Sequence, residues 1–219
     1  MLVIHGVTRS RASRIIWLCH EIGLPFRQVP VIQAYRLGDP DAPDAPLNTR
    51  SPAFLKLSPS GAIPVVEDDG LLLSESYAIN HHLARKHGAP FGPQDASEDA
   101  LMMQWSFYAA TAIEPDALTL LFLHSRGQAQ SGEDQALIAN AAERLIRPFK
   151  VLDDHLARHG YLVGGRFTVA DINMAETIRY AQGYGPLMEE FPAIRQWLAD
   201  AQARPAFQQM WQARLAEPE

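Results

Sequence analysis

Three short segments carry the residue types that chemistry would use. The first is Arg9-Ser10-Arg11-Ala12-Ser13-Arg14, between an apolar run, Leu2-Val3-Ile4-His5, and a stretch with helical spacing. A strand end leading into a helix offers free backbone N–H groups and a positive dipole, which favour an anion or a thiolate. Three arginines strengthen that field and two hydroxyls can donate; equally, Ser10 or Ser13 could cap the helix while the arginines meet water. The second segment is Ile63-Pro64, at the start of a strand pattern. A cis proline there makes a tight turn beside exposed backbone, and the Ile63 N–H and C=O could pair with a peptide-like ligand. An ordinary strand-initiating proline is the plainer reading. The third is Ser74-Glu75-Ser76, opening a short helix. The N–H and hydroxyl of Ser76 suit a carboxylate and Glu75 suits an ammonium, which together match an α-amino acid head group. Taken singly, this too is a capped helix.

The elements that must position these segments follow from periodicity. Ile15, Leu18, Cys19 and Ile22 recur at helical spacing, and Gly23 stops the helix. Residues 26–31 alternate as a strand, and Pro30 sends that strand to a sheet edge. Residues 33–50 read as an irregular excursion. Residues 63–67, an Asp69-Gly70 turn and residues 71–73 form a hairpin signal, followed by a short helix over 75–87 closed by Gly88. Residues 89–97 are a Pro/Gly linker, and everything beyond is helical. Ser97 is the expected N-cap of a helix with Leu101, Trp105, Tyr108 and Ala112 on one face. A second long helix spaces Ile138, Ala142, Leu145, Phe149, Leu152 and Leu156, with Pro148 expected to kink or split it. Thr168 and Asp171 make a capping box, and Pro192 and Pro205 each open a later helix. The order βαβ, ββα, then helices alone predicts a small α/β domain at 1–88, a linker at 89–97 and an all-α domain at 98–219.

Composition narrows the function. The chain has 219 residues, 47% hydrophobic and 20% charged, which suits one or two globular domains and not a disordered chain. Nineteen Lys+Arg against 25 Asp+Glu give a net charge of −6, which argues against nucleic acid and anionic membrane as partners. No apolar run reaches the roughly 20 residues of a membrane span, and the opening sequence is the reverse of a secretory leader. Cys19 is the single cysteine, which excludes an internal disulfide and suits a reducing, cytoplasmic setting.

Taken together in order, R-S-x-x-S-R, S-P-S-G-A-I-P-V-V-x-D-D-G and L-S-E-S-x-A-I resemble the N-terminal domain of the glutathione transferase family. F-T-V-A-D-I is similar to the N-capping motif of a helix in that family's helical second domain. The resemblance covers essentially the whole chain. It implies a thioredoxin-like first domain, a helical second domain, a homodimer, and glutathione as co-substrate without a metal. It gives Ser10 the role of hydrogen bonding to the glutathione thiolate, with Ser13 competing and Thr8 left open. The stretch Ile4–Thr8 lacks the tyrosine of the tyrosine-type members, and Cys19 lies too far into the helix for the cysteine type. Ile63, before a cis Pro64, matches the residue that pairs with the cysteinyl backbone. Glu75 and Ser76 match the pair that holds the γ-glutamyl head, and Lys56 is a candidate for the glycyl carboxylate. Ser58-Pro59 stands where the family often has Asn-Pro.

The implied reaction joins the thiolate to a small apolar electrophile. The alternatives are a non-enzymatic binding or interaction module, or a glutathione-dependent isomerase, dehalogenase or peroxidase on the same site. Disulfide exchange is disfavoured, since no cysteine falls at the site. His155 and His159 lie one helical turn apart without a third ligand at metal spacing, and His81-His82 point to different helix faces. Trp105, Tyr108 and Phe122 could line an apolar pocket between the domains or could be core.

Overall fold

The computed structural model describes residues 1–217. By its internal contacts the chain falls into two units: residues 1–88 together with the last helix, and Ala89–Arg204.

The first unit contains β1 (Leu2–His5), α1 (Ala12–Ile22), β2 (Phe26–Val29), α2 (Pro52–Leu55), β3 (Val65–Asp68), β4 (Leu71–Ser74) and α3 (Ser76–His87). The sheet order is β2-β1-β3-β4, with β1 parallel to β2 and antiparallel to β3. This is the expected βαβ-ββα arrangement. All four β1 residues are buried, as a strand with neighbours on both sides requires. Pro30 follows β2, the edge strand, where a missing donor costs no ladder bond. At the hairpin, Asp69 and Gly70 both take positive φ, 50° and 87°, the handedness a tight two-residue turn needs. Gly23, at φ 65°, ends α1 and donates to the Cys19 carbonyl. The excursion at 33–50 is pinned by buried Asn48, whose amide donates to the Pro40 and Pro46 carbonyls at 2.9 Å each.

The second unit contains α4 (Ala96–Tyr108), α5 (Glu114–Thr119), α6 (Gly132–His159), α7 (Val169–Ala181), α8 (Gly185–Glu189) and α9 (Pro192–Gln202), with π-helical turns at Ala109–Ile113 and Leu120–Ser125. Four expectations change here. Asp95, not Ser97, caps α4, accepting from the Glu98 N–H at 2.8 Å. The buried face is Met102, Trp105, Ala109 and Ile113, spaced by three, four and four residues, while Leu101 is 45% exposed. Pro148 does not split α6, which runs unbroken for 28 residues, and Ala141 rather than Ala142 joins its buried stripe. The Thr168–Asp171 capping box forms as expected, with Asp171 also accepting from the Leu162 N–H and Trp197 Nε1.

The last helix, α10 (Pro205–Ala216), starts at Pro205 as the sequence suggests but packs in the first unit against α1, where Phe207 meets the edge of Trp17 at 4.9 Å between centroids. The helical unit therefore stops at Arg204 instead of running to 219.

Candidate functional site

The segments singled out from the sequence converge at the end of β1. Gly6, at φ 144°, is where they meet: a Cβ placed there would lie 3.4 Å from Ile63 Cβ and 3.5 Å from Ala12 Cβ. These are ordinary contact distances, so it is the positive φ, and not a lack of space, that favours glycine here. The Ile63–Pro64 bond is cis, as expected. Ile63 lies two residues before the first paired position of β3, so its backbone extends beyond the ladder.

The three candidate hydroxyls separate by burial. Thr8 is 1% exposed and its Oγ1 accepts from the Gln28 amide at 3.2 Å. Ser13 is completely buried in the first turn of α1. It does not cap that helix either: the N-cap position is Arg11, which makes no side-chain cap. Ser10 alone is partly open to solvent. Its Oγ accepts from the Ala12 N–H at 3.0 Å and its proton goes to the Val7 carbonyl at 2.6 Å. Ser10 thus satisfies the first free N–H of the helix while keeping a hydroxyl that can turn outward. No acidic residue occupies the first turn of α1 itself.

The three arginines stand in three different environments. Arg14 is fully buried; its Nη1 donates to Ser76 Oγ at 2.9 Å, and its guanidinium lies 4.3 Å over the Tyr77 ring. It is therefore a strut between α1 and α3, reinforced by the Asn80 amide donating to the Arg14 carbonyl at 3.2 Å. The sequence held a signal for this: Arg14 shares a helix face with Leu18, four residues on, and that face is apolar. Arg9 donates to the Arg214 carbonyl at 3.0 Å. Arg11 is the exposed one.

Glu75 is exposed and holds φ 68°, ψ 107°, a strained backbone for a residue with a side chain. The kink sets Ser76 at the first position of α3 with its side chain buried toward Arg14. Glu75 and Ser76 thus present an outward carboxylate beside a helix N-terminus. Lys56 stands exposed at the end of α2, on the segment leading to Ile63. That segment is tightened by Ser58, whose hydroxyl donates to the Ala62 carbonyl at 2.9 Å.

Glu217 escaped the sequence reading. Its carboxylate accepts from the Thr8 and Arg9 N–H groups at 2.6 and 2.8 Å, across more than 200 residues of chain. Nothing local to Glu217 signals this. Elsewhere, burial pushes the Cys19 thiol up to about 12, so it stays a neutral core group. His155 faces the Trp105 ring at 4.7 Å and its Nε2 meets the Leu162 carbonyl at 3.0 Å, with burial lowering its pKa. Trp105 is 7% exposed and belongs to the helical core. Among the described residues, no group of three or more His, Cys, Asp or Glu side chains could hold a metal ion, and no helix is long and apolar enough to cross a membrane.

Known proteins share this arrangement. Residues 9–86 match the family model described as glutathione S-transferase, N-terminal domain, and residues 135–200 match its C-terminal counterpart. Glutathione S-transferase 3 of Schizosaccharomyces pombe is 29% identical over 94% of this chain and 85% of its own length. Glutathione S-transferase 3 of Zea mays is 32% identical over 94% of this chain and 91% of its own. A theta class glutathione S-transferase of Xanthomonas axonopodis pv. citri, solved with glutathione bound, superposes with a TM-score of 0.76 at 25% identity, covering 95% of both chains.

Proposed function

This chain belongs to the glutathione S-transferase family, and we propose that it joins the glutathione thiolate to a small apolar electrophile, with Ser10 as the hydroxyl that stabilises the thiolate. The observation that carries the assignment is the burial of the alternatives. Thr8 and Ser13 are at most 1% exposed, and Ser10 alone can present its hydroxyl to a ligand. In this reading the Ser10 proton leaves the Val7 carbonyl and turns to the sulfur, and the α1 N-terminus adds its field. A cysteine thiol of pKa ~8.5 is mostly protonated at neutral pH, so both effects raise the reactive fraction.

The tripeptide lies across the remaining segments. The Ile63 backbone pairs with the cysteinyl backbone as an added strand. Glu75 takes the γ-glutamyl ammonium, the Ser76 N–H takes its carboxylate, and Lys56 takes the glycyl carboxylate. Supporting this, Glu75 is exposed, Ser76 begins α3, and Lys56 is exposed on the segment that ends at Ile63. A homodimer in the cytoplasm completes the reading, in keeping with a single buried, neutral thiol.

The test is a panel of aryl halides, alkyl halides, isomerisable enones and hydroperoxides, each with glutathione, beside calorimetry of glutathione alone. Conjugation of aryl or alkyl electrophiles is the expected result. Peroxide reduction or isomerisation without conjugation reassigns the reaction on the same site. Glutathione binding without turnover makes the chain a binding module. Light scattering is expected to give about twice the 24.3 kDa chain mass.

A further inference from the structure

The loop that carries Ser10 is clasped from behind by the end of α10. Glu217 accepts from the N–H groups of Thr8 and Arg9 at 2.6 and 2.8 Å. In return, Arg9 Nε donates to the Arg214 carbonyl at 3.0 Å, and Arg214 Nη1 donates to the Thr8 carbonyl at 2.7 Å. The Thr8–Arg9 peptide unit is therefore held on both its N–H and C=O sides, and the Val7–Thr8 unit on its N–H side, by groups more than 200 residues away.

The clasp lies on one flank of β1 and the proposed ligand on the other. β1 has β2 on one side and β3 on the other. The Gln28 amide of β2 lies 3.5 Å from the Glu217 carboxylate and also donates to the Gly6 carbonyl at 2.9 Å, which marks the clasp's flank. Ile63, leading into β3, marks the opposite one.

From this placement we propose that Glu217 is a positioning residue for the thiolate site. It fixes the backbone from which Ser10 projects and does not itself touch the substrate. The inference rests on the glutathione reading above. A hydroxyl can stabilise a sulfur anion only if its own backbone is fixed beforehand, since geometry lost here is lost in the transition state as well. Two hydrogen bonds to a carboxylate are stronger than neutral ones and suit that task.

Charge and position pull in opposite directions, which makes the role separable. As a nearby negative charge, Glu217 disfavours the thiolate, so Glu217→Gln acting through charge alone would lower the pKa of bound glutathione. Acting through position, the same variant slackens the Ser10 loop and raises that pKa. The experiment uses the full chain as wild type, Glu217→Gln and Glu217→Asp. Amide exchange at Thr8 and Arg9 is measured without ligand, followed by binding of S-methylglutathione, turnover with an aryl halide, and the thiolate absorbance against pH. Expected for Glu217→Gln are exchange at Thr8 and Arg9 faster by about tenfold, turnover lower by about tenfold, and S-methylglutathione affinity within about twofold. The bound thiol pKa is expected to rise and Glu217→Asp to recover part of the loss. Unchanged exchange, or a thiol pKa that falls or stays, would overturn the positioning role. Faster exchange in Glu217→Gln, beside a wild-type chain that never binds glutathione, overturns instead the reading beneath it.

Discussion

The Arg14 guanidinium donates to the Ser76 hydroxyl at 2.9 Å with both side chains sealed from water. The pair fixes the start of α3 relative to α1, so the segment proposed to face the thiolate and the one proposed to hold the γ-glutamyl head share one strut. Ser76→Ala removes an acceptor from a buried cation and is expected to lower stability by about 1.5–3 kcal/mol. Glu75→Ala touches only an exposed carboxylate, so it is the cleaner probe of binding. Its expected effect is a higher Michaelis constant for glutathione with little change in turnover, because the γ-glutamyl head is far from the reacting sulfur. Collapse of turnover with an unchanged Michaelis constant would remove Glu75 from the head-group site.

Ser10→Ala tests the thiolate partner. Losing one hydrogen bond to a charged acceptor costs about 1.5–3 kcal/mol, or roughly 10- to 150-fold in catalytic efficiency. The pKa of bound glutathione is expected to rise, while affinity at low pH, where the thiol is neutral, stays nearly constant. Ser10 also accepts from the Ala12 N–H, so thermal melts must accompany the kinetics. Ser13→Ala, on a fully buried hydroxyl, is expected to change stability and leave the thiol pKa alone. A shift in the thiol pKa with Ser13→Ala only would exchange the two assignments.

The acid limb of stability is expected to depend on Glu98. Arg166 donates to it through Nη1 and Nη2 at 2.7 Å each, and these bonds hold its carboxyl down to about 2 from 4.5. The folded value is depressed, so the pair stabilises above the unfolded value and its contribution disappears as pH falls from about 4.5 toward 2. Glu98→Gln is expected to cost about 1.5–3 kcal/mol at neutral pH and to flatten the loss of stability below pH ~4.5. Urea midpoints at pH 3 and 7 measure both. Equal acid sensitivity in the two proteins would show that other carboxylates set this limb.

Local chemistry made much of the fold legible in the sequence. The Asp69-Gly70 turn, the Gly23 cap, the edge strand before Pro30 and the Thr168–Asp171 box each follow from a residue type meeting one backbone requirement, and each is present. What went astray depended on partners distant in the chain. Arg14 was grouped with Arg9 and Arg11 because charge looks alike in sequence, yet a buried acceptor in α3 gave it a different task. Leu101 and Met102 both lie at helical spacing from Trp105, so periodicity does not separate them, and tertiary packing buries Met102 and leaves Leu101 exposed. Glu217 went unnoticed because its partners, Thr8 and Arg9, are backbone groups at the far end of the chain.

The membership of α10 in the first unit bears on how the protein is made. A ribosome releases residues 1–88 long before Pro205, with all of Ala89–Arg204 in between. Trp17, completely buried in the finished fold and edge-on to Phe207, has to wait for that helix to be synthesised. Until then α1 shows an uncovered aromatic face, while the helical unit between is already free to fold. The first unit is thus the first to begin and the last to finish, and a gene fragment ending at residue 88 encodes a domain without part of its own core.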